Sequence, residues 1–384
     1  MSKNILFVCG ILPGHFTGCV EIARELISLG HNVTCYVLDE FVERMKVVDG
    51  VKVVEYKVDR DEIKKSRPAG YSSLYDNIAL FGKSFENVIS LLYKEETKYD
   101  YYIFDAFFDV KEMNKLFNIP LEKYIILYVS WIFTDENPFD VTPTRRKSVE
   151  PLNKKYNLNL REFVENYHTP NEFKKLILTS KFFHFKPEKL DNTCYFIGPN
   201  LEKRKFDENF PFKKDKSKKL IYISCGTVFN IDVNHFKTII DAFKNSDEYQ
   251  LLIALGQRIE LDIFKDIPKN VSIFNFVPQS QIFKDIDIFI SHGGLNSVQE
   301  SILCGVPLIV IPQKYDQFDI AKRLEALEAG IYLDHNKATP EAIREAVKKI
   351  DDNREKYKKG IELIKKSLIE AKNDRTTIYK KIFV

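Results

Sequence analysis

Two groups of polar residues, far apart in the chain, stand where apolar runs end. The first is His15, which follows Leu12-Pro13-Gly14, together with Asp105, which closes Tyr101-Tyr102-Ile103-Phe104. A Pro/Gly turn after an apolar strand sets the histidine at the C-terminal edge of a sheet, just ahead of a helix, and a carboxylate closing another strand shares that edge. In such a pair the neutral imidazole takes a proton while the carboxylate fixes its tautomer and stabilises the charge that appears. The same placements also fit a helix-capping or core histidine and a strand-end cap. The second group runs Phe276-Val277-Pro278-Gln279, then Ile286 to Ser291, then His292-Gly293-Gly294-Leu295-Asn296-Ser297, Glu300, Gly305-Val306-Pro307 and Asp316-Gln317. Glycines between a strand and a helix let backbone approach a ligand closely. The N–H groups at the helix start, helped by Asn296 and Ser297, then suit a diphosphate without a metal. Glu300, one to two turns along that helix, can accept from ribose hydroxyls, Asp316 and Gln317 offer an acceptor and an amide to sugar hydroxyls, and Phe276 can stack on a nucleobase. Ser224-Cys225-Gly226-Thr227 ends a further strand and can give a backbone N–H and a hydroxyl to phosphate.

The elements that must hold these residues read as two α/β halves. Ile5 to Cys9 is continuously apolar, a Gly/Pro turn follows, Val20, Ile22, Ala23, Leu26 and Ile27 recur at helical spacing as far as Gly30, and Asn32 to Leu38 is a second strand. Strand, turn, helix, strand is a βαβ unit, and unbroken apolar strands imply a parallel sheet covered on both faces. Strands also fit Val51 to Val54, Tyr101 to Phe104 and Tyr124 to Val129, with a helix from about Ser73 to Tyr93. Between Glu202 and Lys219 the chain is charged, carries Pro211 and has few aliphatics, as a linker does. The pattern then restarts, with strands at Leu220 to Cys225, Leu251 to Ala254, Val271 to Phe274, Ile286 to Ser291 and Leu308 to Ile311, and ends in a helical tail from Pro340. Two doubly wound domains joined by a linker create a cleft, and ligands bind at the C-terminal ends of such strands.

Several function classes fall away. No G-x-G-x-x-G follows the first strand and no G-x-x-x-x-G-K-[ST] occurs anywhere, so a nicotinamide-dependent dehydrogenase and a P-loop enzyme lose their main support. Asp59-Arg60-Asp61 and Asp285-Ile286-Asp287 each offer a metal two carboxylates at most, too few convergent oxygens for a hard cation. The 58 Lys and Arg stand against 55 Asp and Glu, a balance that argues against a nucleic-acid partner. The longest apolar stretch, Tyr124 to Phe133, is about half of the ~20 residues that cross a bilayer. The Pro13-Gly14-His15 turn also interrupts any signal-peptide core, so a cytoplasmic protein without stable membrane insertion is expected. The six cysteines form no C-x-x-C pair and sit mostly in apolar runs, which disfavours disulfides and zinc.

In order and spacing the second group resembles the donor-binding signature of the UDP-dependent glycosyltransferases, which reads W-x-P-Q, H-x-G-x-N-S, E, G-x-P and D/E/H-Q. Phe276 stands where many members have Trp, and stacking survives that exchange more weakly. The segment His15-Phe16-Thr17-Gly18-Cys19-Val20-Glu21-Ile22-Ala23 resembles the one that begins at the family's catalytic histidine, with Gly18 where a Pro is common, and Asp105 matches its histidine-activating aspartate. With Ser224-Cys225-Gly226-Thr227-Val228-Phe229-Asn230 added, most of the chain is similar to the bacterial macrolide-glycosyltransferase subgroup. The resemblance implies an α/β fold of GT-B architecture, two Rossmann-like doubly wound domains facing a cleft. The expected division is an acceptor-binding domain over 1–201, a linker over 202–219, a sugar-nucleotide-binding domain over 220–365, and a C-terminal helix over 366–384 packing back on the N-terminal domain. It further implies inverting, metal-independent transfer of a hexose, foremost glucose from UDP-glucose, to a hydroxyl of a small apolar acceptor such as a macrolide, flavonoid or other polyphenol. His15 and Asp105 would be catalytic. Gly226, Thr227, Phe276, Val277, Gln279, His292, Gly293, Gly294, Asn296, Ser297, Glu300, Asp316 and Gln317 would bind the donor, and Tyr71, Phe107, Phe108 and Trp131 would line an apolar wall for the acceptor. The UDP-sugar is a co-substrate, no cofactor is expected, and the protein would be a monomer or homodimer. A GT-B enzyme acting on a lipid-linked or cell-wall sugar, and a sugar-nucleotide-binding protein without turnover, are the competing readings.

Overall fold

Short aliphatic runs that alternate with amphipathic helices form two parallel sheets. The structure, a computed structural model, describes residues 1–66, 73–129, 143–160, 172–200, 209–226, 233–244, 246–256, 259–313 and 316–384. Its chain divides into two units, Met1–Lys181 with Lys186–Glu202 and Ala371–Val384, and Phe182–Phe185 with Lys203–Glu370.

In the first unit β1 (Asn4–Val8), β2 (Asn32–Leu38), β3 (Lys52–Tyr56), β4 (Tyr101–Asp105), β5 (Tyr124–Tyr128), β6 (Lys174–Ile177) and β7 (Cys194–Phe196) form one sheet in the order β3-β2-β1-β4-β5-β6-β7. Every pairing is parallel. Ile5, Leu6, Phe7 and Val8 are all fully buried, which is why β1 carries no polar face. Strand order reverses at β1, whose Val8 pairs with Phe104 of β4. The chain leaving β1 and the end of β4 therefore meet at the switch point, where such sheets bind ligands. The helix Pro13–Ser28 begins there, with Pro in its first turn, and buries Phe16, Cys19, Val20, Ile22, Ala23 and Leu26 on one face. Its outer part is held by the C-terminal segment. Arg375 is buried and donates to both Glu25 carboxylate oxygens at 2.8 and 3.0 Å, to Asn200 Oδ1, and to the carbonyls of Ile197, Gly198 and Pro199. Asn200 Nδ2 in turn donates to Gly18 O at 2.7 Å.

The second unit repeats the plan. β8 (Lys219–Ser224), β9 (Tyr249–Ala254), β10 (Val271–Phe274), β11 (Ile288–Ser291), β12 (Leu308–Val310) and β13 (Gly330–Tyr332) lie in the order β10-β9-β8-β11-β12-β13, again all parallel. The reversal falls between β8 and β11, where Ser224 pairs with Ser291. The helical tail comes in three pieces, Pro340–Asp352, Arg354–Asn373 and Arg375–Ile382.

Sequence reading does not anticipate β6, β7 and β13. The last two are three residues long, too short for a period to show. β6 opens on Lys174-Lys175, and Lys175 is buried because its Nζ donates to Thr193 Oγ1 at 2.7 Å and to Phe173 O at 3.1 Å. Asp287 of the second acidic triplet precedes β11 and is engaged structurally, by Lys214 Nζ and the Leu220 amide at 2.9 Å each and by Arg354. Among the described residues no helix is long and apolar enough to cross a membrane, and no cluster of three or more His, Cys, Asp or Glu could hold a metal ion. All six cysteines are free; Cys9, Cys19, Cys35 and Cys225 are buried, and Cys304 is exposed.

Candidate functional site

Each unit carries a cluster at its own switch point. In the first, His15 lies in the opening turn of Pro13–Ser28, and its Nδ1 is 3.0 Å from Asp105 Oδ2. Asp105 is fully buried, and its other oxygen accepts the Phe107 amide at 3.1 Å, so both carboxylate oxygens are satisfied. Nδ1 is thereby committed, and Nε2, without a partner among the described residues, is the nitrogen that can receive a proton. The His15 side chain is 14% exposed, unlike its fully buried partner. Phe107 covers the imidazole, with ring centroids 4.1 Å apart, and Phe81 lies 4.5 Å beyond Phe107.

Sequence reasoning missed Gly10. A Cβ there would lie 2.5 Å from His15 Cβ and 2.9 Å from Asp105 Oδ2, so only glycine lets the strand exit pass behind the pair. A glycine just after a strand is too common a signal to reveal this. One expectation is corrected. Phe108 does not line an exposed wall; it is 2% exposed and packs against Phe85 and Phe104. Tyr71 and Trp131 lie outside the described residues, as does Thr227 of the second cluster.

In the second unit His292 follows β11, and its ring fits between two glycines. A Cβ on Gly226, which has φ +79°, would lie 2.8 Å from the ring, and one on Gly294 2.6 Å. Burial pushes the His292 pKa down to about 4, although hydrogen bonding with the Ser224 backbone acts to raise it, so the ring is neutral near pH 7. Its Nδ1 is buried with no partner among the described residues. Gly293 N donates to Ser291 Oγ at 3.1 Å, and Gly294 is the N-cap of the helix Leu295–Leu303, offering no side chain to its first-turn amides. Asn296 and Ser297 stand in that first turn, both half-buried.

Gln279 opens the short helix Gln279–Ile282, and its Nε2 donates to Glu300 Oε2 at 2.6 Å and lies 3.4 Å from Ser297 Oγ. These three residues therefore come together although 21 positions separate the ends. Phe276 is 61% exposed, leaving its ring open to stacking, whereas the Val277 side chain is buried and only its backbone can face a ligand. Asp316, half-buried, precedes the helix Gln317–Ala326. The Gln317 side chain is buried and its Oε1 accepts the Gln313 amide at 2.9 Å, so the oxygen of that amide braces the loop instead of facing a sugar.

Known proteins are similar to this chain. Residues 238–375 match the model of the family described as Erythromycin biosynthesis protein CIII-like, C-terminal domain. The NDP-glycosyltransferase YjiC of Bacillus licheniformis is 30% identical over 88% of this chain and 87% of its own. The oleandomycin glycosyltransferase of Streptomyces antibioticus is 23% identical over 88% of this chain and 81% of its own. Among solved structures, the glycotransferase of kitacinnamycin superposes with a TM-score of 0.79 at 20% identity, covering 99% of both chains, which assigns the GT-B fold to the two Rossmann-like units. Taken with the paired switch-point clusters, these matches make the chain an enzyme of the UDP-dependent glycosyltransferase family, in its macrolide-glycosyltransferase-like subgroup.

Proposed function

We propose that the chain is an inverting, metal-independent hexosyltransferase that moves glucose from UDP-glucose onto a hydroxyl of a small apolar acceptor such as a macrolide, flavonoid or other polyphenol. The observation that carries this reading is the 3.0 Å hydrogen bond between His15 and a fully buried Asp105 at the end of β4. His15 Nε2 takes the acceptor hydroxyl proton, the oxygen attacks the anomeric carbon, and the bond to the diphosphate oxygen breaks with its electron pair leaving on UDP. One displacement inverts the anomeric centre. Asp105 holds the tautomer and stabilises the imidazolium, worth about 10² to 10⁴ in rate for a positioned base. The leaving diphosphate meets His292 and the first-turn amides of Leu295–Leu303, and Phe276, Gln279 and Glu300 take the nucleoside. Asp316 takes sugar hydroxyls. Phe107 and Phe81 supply apolar surface beside the base for the acceptor. The relative named for oleandomycin supports an acceptor of natural-product type.

The test pairs His15→Ala with an acceptor panel incubated with UDP-glucose and read by mass increase. The variant should bind UDP as the native protein does while transfer falls by about 10² to 10⁴. Unchanged transfer rules out the assignment of the base, and a product retaining the donor's anomeric configuration rules out single displacement.

A further inference from the structure

Tyr222 belongs to neither catalytic pair nor donor signature, yet its hydroxyl lies 3.3 Å from Gln279 Oε1. It is 1% exposed on β8, too buried to touch a bound donor. Its ring is fixed by stacking on Phe289 at 5.1 Å and by an edge contact with Phe283 at 6.2 Å. Gln279 stands between this hydroxyl and a carboxylate, with its Nε2 2.6 Å from Glu300 Oε2. A side-chain amide has two orientations that exchange its oxygen and nitrogen. In the flipped one the carbonyl oxygen would face the Glu300 carboxylate and both acceptors would be left without a proton between them. A tyrosine hydroxyl donating to Oε1 reinforces the productive orientation, and the amide then gives the carboxylate a charge-assisted bond.

We propose that Tyr222 is a positioning residue for donor recognition: through the Gln279 amide it holds the Glu300 carboxylate in the rotamer that accepts from the ribose hydroxyls of a uridine diphosphate donor. The inference rests on the reading of Glu300 as the ribose ligand. Tyr222 acts three hydrogen bonds away from the nucleotide, through two intervening side chains, and its effect is confined to the sugar of the nucleoside.

Calorimetric titration of the full-length protein with UDP and with 2′-deoxy-UDP separates the two claims. The native protein should prefer UDP by about tenfold, the energy of one good hydrogen bond to a charged group. Glu300→Ala should abolish that preference. Tyr222→Phe should weaken UDP binding several-fold, leave 2′-deoxy-UDP binding nearly unchanged, and raise the KM for UDP-glucose more than it lowers kcat. A merely structural loss would weaken both nucleotides alike. Equal affinities in the native protein, or a preference that survives Glu300→Ala, overturn the reading of Glu300 and the proposal with it. A preference lost in Glu300→Ala but kept in Tyr222→Phe overturns the proposal alone. Should Tyr222→Phe not fold, Gln279→Leu removes the relay without disturbing the aromatic packing, and persistence of the ribose preference in that variant also overturns it.

Discussion

At the scale of single residues, the proposed base, His15, is defined as much by what surrounds it as by its partner carboxylate. Asp105 is bonded on one oxygen by His15 and on the other by the Phe107 amide, and the Phe107 ring lies on the imidazole itself. When His15 becomes charged, the negative face of that ring adds an attraction that the neutral ground state lacks. Cation–π contacts of this size contribute about 0.5 to 2 kcal/mol, so Phe107→Leu should lower kcat by roughly 2- to 30-fold. The backbone bond to Asp105 stays in that variant, and UDP affinity should not move. Steady-state kinetics with a single acceptor and UDP titration decide the point, and an effect seen only in the acceptor KM would show that Phe107 serves the acceptor alone and does not stabilise the charged ring.

At the scale of elements, both clusters arise where a strand exit meets a helix start, and that much was legible in the chain. Pro13, which opens a helix, the apolar run that ends at Asp105, and Gly293, whose φ of +92° favours glycine, each announce a sheet edge. The contacts that complete each cluster were not legible. Phe107 and Phe108 look alike in the sequence, and only the turn after β4 separates a ring against His15 from a ring in the core. Gln317 reads as offering its whole amide to a sugar, and its oxygen instead accepts the Gln313 amide. Tyr222 and Gly10 act through neighbours that are 57 residues away or across the sheet, and no local pattern encodes such pairings. Gly226 shows the coupling between elements most directly, since the exit of β8 leaves room for a ring that follows β11. Gly226→Ala adds a Cβ at φ +79° and 2.8 Å from His292. The left-handed backbone alone costs about 1 to 3 kcal/mol, and the displaced ring should lower UDP affinity by about tenfold. Urea unfolding and UDP titration measure the two losses separately, and full affinity in a destabilised variant would show that His292 does not contact the nucleotide.

At the scale of the whole molecule, the two units carry buried titratable groups of opposite sense, so acid and base should weaken different parts of the chain. In the first unit Asp109 caps the helix Val110–Phe117 by accepting the Glu112 amide at 3.0 Å, and burial, with the nearby Glu112 carboxyl adding to it, pushes its pKa up to about 7. Between an ordinary carboxyl value of about 4 and that folded value, the native state binds the extra proton, so this contribution to stability falls as pH rises through the interval. In the second unit burial holds His292 at about 4. Between about 4 and an ordinary histidine value of about 6.5 the unfolded state binds the extra proton, so this contribution falls as pH drops through the interval. Two substitutions expose the opposed slopes. Asp109→Asn keeps the cap without the charge, and its Tm relative to the native protein should rise from pH 4.5 to pH 8. His292→Gln cannot be protonated, and its Tm relative to the native protein should rise in the other direction, from pH 7 to pH 4.5. Saturating UDP should protect against the acid loss, because a nucleotide bound to the neutral ring of the second unit draws the equilibrium toward the folded state. Difference curves that are flat with pH for either variant would show that the group concerned titrates alike in the folded and unfolded chain.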